Sequence, residues 1–188
     1  MARLQDVIDA IIFSLKDSGE LPEEATFIGF EPDNDTQPIK LPIIQVDPEG
    51  EITDANLANT QFVGFSKDDD GNNVGRIFER LSEIPIRLSV LTAQGSKFDE
   101  REISDTARTV LFKHETAGPF EPLKKEDGTT LDEVWRFDID ESTQTDNLGT
   151  SPPLRRFVQR ITVGSSEQFV TTADEPPVEK TEVEVKEK

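Results

Sequence analysis

Residues 84–92 read Ile84-Pro-Ile-Arg-Leu-Ser-Val-Leu-Thr92, and the chain runs on through Gln94-Gly95-Ser96 to Phe98, Asp99 and a segment ending at His114. Ile84, Ile86, Leu88 and Val90 occupy alternate positions, with Pro85, Arg87, Ser89 and Leu91 between them, so this is expected to be a strand with one buried face. Gln94-Gly95-Ser96 breaks it. Asp99 with Glu102 three positions on has the form of a capping box. Ile103, Ala107, Val110, Leu111 and His114 then recur at helical spacing, forming one stripe. A strand leading so soon into an amphipathic helix must fold back until the two apolar faces meet. The fold class expected is α+β.

The rest of the chain supplies matching parts. Leu4, Val7, Ile8, Ile11, Ile12 and Leu15 sit on one helical face that stops at Ser18-Gly19, where glycine suits a left-handed cap. Short strands are expected at Thr26–Phe30 and Leu41–Val46, with Pro42 favouring a strand start or an edge. Residues 31–37 and 47–59 read as loops. Phe62–Ser66 and Val74–Phe78 flank a polar tip and read as a hairpin. Val134–Ile139 alternates, with Trp135, Phe137 and Ile139 on one side, and residues 143–153 read as a polar excursion. Arg155–Val163 is the last strand, with Phe157, Gln159, Ile161 and Val163 facing one way. These elements predict a mainly antiparallel sheet with two helices packed on one face and long loop inserts near 31–60, 66–75 and 115–134. The domain body is expected over residues 1–170. Residues 171–188 are charged, contain Pro and have few large apolar groups, so they are expected as an acidic disordered tail that cannot offset its own ordering entropy.

Charge narrows the function classes. The chain carries 39 Asp+Glu against 20 Lys+Arg, a net −19, and is only 34% hydrophobic. Such a surface repels DNA phosphate and anionic lipid. It suits molar salt, where the Debye length falls to about 3 Å and self-repulsion is screened. With no Cys there is no disulfide or thiolate metal site. No apolar run approaches the length of a membrane helix, and Asp6 and Asp9 interrupt any signal-like opening, so use without Sec-type export is expected.

Catalytic patterns are weak. His114 is the only histidine; it closes the second helix, where its cation would suit the helix C-terminus, and a structural role is expected. Asp68-Asp-Asp-Gly-Asn-Asn73 invites a calcium reading, but aligning Gly71 with the sixth loop position puts Ser66 first and Ile77 twelfth, without the bidentate Glu. A solvated hairpin tip is expected instead. Asp138, Asp140 and Glu141 form a second acidic cluster, short of the ligands that two-metal chemistry wants. Asn34-Asp-Thr36 matches a glycosylation sequon that is common by chance. No catalytic, cofactor or metal residues are assigned. Arg155, Arg156 and Arg160 are the one local basic group, expected either as intramolecular salt bridges or as intersubunit contacts, since the guanidinium fork pairs well with carboxylates.

The order of these elements carries a resemblance. An opening helix Leu4–Leu15, strands with inserts, Ile84–Thr92 running into the Asp99–Leu111 helix and closing strands at Trp135–Ile139 and Phe157–Val163 resemble the tail terminator (tail completion, or tail-to-head joining) proteins of long-tailed viruses. The likeness spans about residues 4–169 and is one of element order, without a diagnostic motif; the inserts at 31–60 and 115–150 and the acidic tail depart from it. It implies a structural, non-enzymatic virion protein without cofactor, assembled in the host cytoplasm into a homo-oligomeric ring of six. Such a ring caps the tail tube, joins it to the head connector or another neck protein, and lets genome DNA pass through its lumen without specific binding. The acidity would then point to a virus of halophilic archaea. The hairpin tip, with Asp68, Asp69, Asp70, Asn72 and Asn73, is the candidate partner-facing loop. Competing readings are another neck component, a small acidic metal-dependent enzyme using Asp138 or Asp140, and a generic binding module.

Overall fold

The computed structural model describes residues 4–29, 40–49, 53–54, 60–149 and 153–172. Its elements are helix α1 (Leu4–Asp17), strands β1 (Thr26–Ile28), β2 (Ile43–Pro48), β3 (Thr53–Asp54), β4 (Thr60–Lys67) and β5 (Asn73–Ala93), helix α2 (Glu100–Leu111) with a 3-10 turn at Phe112–His114, and strands β6 (Val134–Leu148) and β7 (Leu154–Thr172). They form one seven-stranded sheet, ordered β1-β2-β5-β7-β6, with β3 and β4 also pairing with β5. Only β1 and β2 run parallel; every other pairing is antiparallel. The α+β class and the mainly antiparallel sheet are as the sequence implies.

The expected face of β5 is the core face. Ile84, Ile86, Leu88 and Val90 are buried, and their cross-strand partners on β7 are Val163, Ile161, Gln159 and Phe157. Ile44 and Val46 of β2 extend the same face, opposite Val90 and Leu88. Above it lie Val7, Ile8, Ile11 and Leu15 of α1 and Ile103, Ala107, Val110 and Leu111 of α2, all buried in one cluster with the sheet. Each such fully buried aliphatic side chain contributes about 1.5–3 kcal/mol. Asp99 caps α2: its Oδ1 accepts from the amides of Arg101 at 2.8 Å and Glu102 at 3.3 Å. Gly19 ends α1 with φ +65°.

The sheet is longer than the sequence implies. The two strands expected at 74–78 and 84–92 are halves of one 21-residue strand, because β7 pairs with β5 without a break from Gly75↔Thr172 to Ala93↔Leu154. Residues 79–83 lack an apolar alternation but also lack Gly, Pro, Asn and Asp, and the neighbouring strand decides their state. Pro85 is tolerated inside a central strand because its carbonyl, which accepts from the Glu49 amide at 2.8 Å, faces the gap between β2 and β3. Its missing N–H is on that same side, beyond the last β2 pair.

The loop expected at 47–59 is partly strand: Asp47 and Pro48 complete β2, and Thr53–Asp54 is β3. The polar excursion expected at 143–153 is partly the outer half of β6, paired with β7 from Thr143↔Gln159 to Leu148↔Leu154. The insert after α2 is packed, with Leu123 and Leu131 buried and Lys125 bonded to Asp6 of α1 at 2.6 Å. Residues 31–37, with the sequon at Asn34, lie outside the described residues. So do 173–188 of the tail expected from 171, whereas Thr171 and Thr172 close β7.

Trp135 corrects a simple alternation. The register shifts between Val134↔Ser165 and Arg136↔Gly164, so Trp135 is the extra residue of a bulge and does not share the core face of Phe137 and Ile139. Its ring lies over Gly164, where an added Cβ would sit 2.7 Å from Trp135 Cε2 and 2.7 Å from Arg136 Cβ. Gly164→Ala is therefore expected to destabilise the protein by about 1–3 kcal/mol, as overpacking does. The readout is the denaturation midpoint at unchanged slope; a midpoint equal to the parent's would show that the bulge yields freely.

Candidate functional site

The described residues hold four places where chemistry or recognition could reside: the arginines of β7, the His114 contact, the acidic groups on β6, and the sheet extension beyond the helices.

The three arginines do not form one group. Alternation along β7 puts Arg155 on the helix side, and Arg156 and Arg160 on the opposite face. Arg160 Nε meets both carboxylate oxygens of Glu49, at 3.0 and 2.9 Å. Arg155 Nη1 lies 3.9 Å from Glu100 Oε1. Arg156 pairs in register with Leu91 on one side and Asp146 on the other. So Arg155 and Arg160 each have a carboxylate of their own chain, the intramolecular alternative. Glu100 is only 5% exposed, in the first turn of α2, where the helix dipole favours an anion. Its Oε2 accepts from the buried Thr92 hydroxyl at 3.1 Å. The cleft beside it, about 250 Å³, is lined by Ser96, Lys97, Phe98, Asp99, Glu100 and Arg155.

His114 is a structural pin. It is 4% exposed; its Nδ1 lies 2.6 Å from the Glu121 carbonyl and its Nε2 3.0 Å from Ser14 Oγ. A carbonyl only accepts, so Nδ1 carries a proton and donates; in the neutral ring Nε2 then accepts from the Ser14 hydroxyl. Burial, with a smaller contribution from Lys113, pushes the pKa below the ordinary histidine value against the opposing pull of Glu121. Burial thus works against the expected cation at the helix C-terminus, and the ring ties α1 to the segment after α2. The sign follows from linkage. Below the ordinary pKa of about 6.5 the unfolded chain takes up a proton that the folded chain resists, so this contribution to stability falls with falling pH, by at most about 1.4 kcal/mol per unit. Between about pH 6.5 and 5, above most carboxylate titration, unfolding free energy should decline in the parent and decline less in His114→Gln. Parallel profiles for the two proteins would remove His114 from the account.

On β6 Asp138 is engaged by Arg136, which also bonds Glu83 on β5 at 2.6 Å. These two carboxylates hold the Arg136 guanidinium more firmly protonated, the Asp138 hydrogen bond most of all. Among the described residues, no three or more His, Asp or Glu side chains gather in a way that could hold a metal ion.

The fourth place is an arm. From Arg80 outward, among the described residues, the sheet continues as three strands: β4, the first part of β5 and the end of β7. Phe62, Phe78 and Phe169 stand in register across them as one row. The Phe62 and Phe78 rings meet edge-on at 5.9 Å, Phe78 and Phe169 stack at 5.8 Å, and Phe65 joins Phe62 at 5.0 Å after a register shift at Val63. Phe62 is 50% exposed, Phe65 49% and Phe169 37%. Among the described residues, the large exposed apolar side chains fall mostly on this arm; Phe112 and Trp135 lie elsewhere.

The candidate partner-facing loop is the arm's tip, and Asp68, Asp69, Asp70, Asn72 and Asn73 are all exposed there. Asp68 organises it. Its carboxylate accepts from the Asn72 amide at 2.7 Å, the Asp70 amide at 3.1 Å and Asn72 Nδ2 at 3.2 Å, which holds its pKa below the usual carboxylate range. Gly71 makes the reversal at φ +83°. A carboxylate turned onto its own loop amides is the chemistry of a hairpin tip, as the failed calcium pattern implies.

No family model matches the chain, and no curated protein matches it. The aromatic row was missed from sequence alone. Phe62, Phe65 and Phe78 lie in the expected hairpin, but apolar residues on a strand read as core, and Phe169 lies beyond the expected end of the last strand.

Proposed function

We propose that this protein is a structural virion component, a tail terminator that forms a homo-oligomeric ring at the head-proximal end of a viral tail tube. The observation that carries the reading is the aromatic face of the arm. The largest exposed apolar feature among the described residues is a surface for protein contact, set on a two-helix, antiparallel body of the kind the resemblance implies. In this reading the work is mechanical. The ring caps the tube, blocks further addition of tube subunits and offers its other face to the head connector. A rotation that closes makes each joint heterologous, with different patches meeting. With a net charge of −19, an acidic lumen passes DNA without gripping its phosphates. The hairpin tip at Asp68–Asn73 is offered to the tube or the connector, and the site of action is the virion neck.

The test is assembly. Purified full-length chain in molar KCl, followed by sedimentation and negative-stain microscopy with and without isolated tail tubes, should give rings that sit on one end of a tube. A chain that stays monomeric at every concentration, with tubes present, rules the reading out. Rings that bind connector but never tubes would assign it instead to another position in the neck.

A further inference from the structure

Two hairpin tips in the chain are built alike. In the first, the Gly71 amide donates to the Asp68 carbonyl and the Asp68 amide to the Asn72 carbonyl, both at 3.0 Å. In the second, flanked by the Lys124↔Thr130 bridge, the Gly128 amide donates to the Lys125 carbonyl and the Lys125 amide to the Thr129 carbonyl, both at 2.9 Å. Both glycines have φ +83°. Each tip is a tight turn closed by a left-handed glycine. Each also sets an aspartate directly before that glycine, and Asp70–Gly71 and Asp127–Gly128 are the two Asp–Gly steps of the chain. All four residues are exposed. The carboxylates, however, are held differently. The first tip opens with an acid: Asp68 takes the amides of Asp70 and Asn72, which leaves the Asp70 carboxylate without a hydrogen bond or ion pair among the described residues. The second tip opens with Lys125, whose ammonium reaches away to Asp6. Asp127 therefore takes the amide two residues on itself. Its Oδ1 accepts from Thr129 N–H at 2.8 Å, and the hydrogen bonds from Thr129 hold its pKa below the usual carboxylate range.

We infer that Asp70–Gly71 is a site of spontaneous covalent modification, isomerisation of the aspartate to isoaspartate, and that its counterpart at Asp127–Gly128 is protected by its own loop. The Gly71 nitrogen attacks Cγ of the Asp70 carboxyl group. The amide proton and the carboxyl hydroxyl leave as water, and a five-membered cyclic imide closes. Water then opens the imide. Cleavage between the nitrogen and Cγ restores aspartate; cleavage between the nitrogen and the former main-chain carbonyl leaves the chain running through Cβ. The water lost is regained, so the mass is unchanged and no other reactant is needed. Glycine favours the attack because no side chain crowds its nitrogen. An ionised carboxylate is the poorer electrophile, so the Thr129 hydrogen bonds that keep Asp127 ionised and turned forward must break before it reacts. Asp70 needs only the release of the Gly71 amide from the Asp68 carbonyl, and an exposed tip opens locally at little cost. The product adds one backbone carbon between Asp68 and Asn72, whose mutual hydrogen bonds set the tip. The candidate partner-facing loop therefore changes shape with age, whether or not the chain forms rings.

The experiment follows the oxygen. Full-length protein is kept folded in molar KCl near neutral pH, in water labelled with heavy oxygen, and sampled over weeks. The peptides that carry each Asp–Gly step are then separated and weighed. Passage through the imide leaves heavy oxygen in the carboxyl group. The isoaspartyl peptide also changes retention and resists a protease that cuts before aspartate. In the folded protein the Asp70 peptide is expected to take up label and convert at least about 10-fold faster than the Asp127 peptide, the ratio that an extra hydrogen bond to a carboxylate gives. In concentrated urea the two rates should converge, because neither tip then exists. Asp70→Glu keeps the exposed charge but disfavours the small ring, so it should melt like the parent and show neither label nor conversion at that peptide. Equal rates in the folded protein, or a ratio that persists in urea, overturns the proposal. So does conversion of the Asp70 peptide without label, or conversion that survives in Asp70→Glu.

Discussion

Phe137→Ala is expected to lower the unfolding free energy by about 3–5 kcal/mol, the range for removing a large aromatic from a packed core. Phe137 is fully buried on β6 and stands opposite Val163 of β7. Its ring also meets that of His114 edge-on, with centroids 6.0 Å apart. The truncation thus does two things. It leaves a cavity, and it opens one side of His114 to water, which relaxes the burial that lowers the histidine pKa. The variant should unfold at a lower denaturant midpoint, and its stability should fall less steeply between about pH 6.5 and 5 than the parent's. An unchanged pH slope beside the full loss of stability would mean that other atoms shield His114.

Leu111→Ala follows, at about 2–5 kcal/mol. Leu111 is fully buried in the last turn of α2, in one cluster with Ile86, Leu88 and Val90. The helix carries little intrinsic drive of its own, with polar residues such as Arg101, Glu102 and Asp105 exposed along its outer side. Its stability comes mainly from that buried stripe. Denaturant melting in molar KCl checks the magnitude. A loss under about 1 kcal/mol would mean that α2 collapses into the space vacated, since the cost depends on how well a site can close. Leu111 and Phe137 belong to the same cluster, so the double variant need not show the sum of the two losses.

The comparison of Ile84–Val90 with Phe62–Phe78 shows what local pattern can and cannot say. Both are apolar positions on strands. The first set is read correctly as core because the amphipathic α2 follows within reach and can turn back over it. The second set has the same local character, but nothing in the neighbouring sequence tells whether a layer lies above it. The arginines make the same point. Arg155, Arg156 and Arg160 are close in sequence, yet alternation divides them between two faces, and Glu49 and Glu100, far away in the chain, decide what they touch.

By itself, the sequence determined what depends on short range: the amphipathic helix from Leu4, the Asp99 cap, the glycine ends at Gly19 and Gly71, the inward alternation of β5 and β7, and the acidic balance. Each rests on residues within a turn or a strand of one another, where backbone geometry and side-chain period are enough. The tertiary structure alone decided that residues 79–83 are strand, that Trp135 is a bulge, that His114 is buried against Ser14, and that the sheet outruns its helices to leave an aromatic face uncovered among the described residues. Those outcomes are set by strand register and by burial between residues up to about a hundred positions apart, whose energies enter only when the chain has closed on itself.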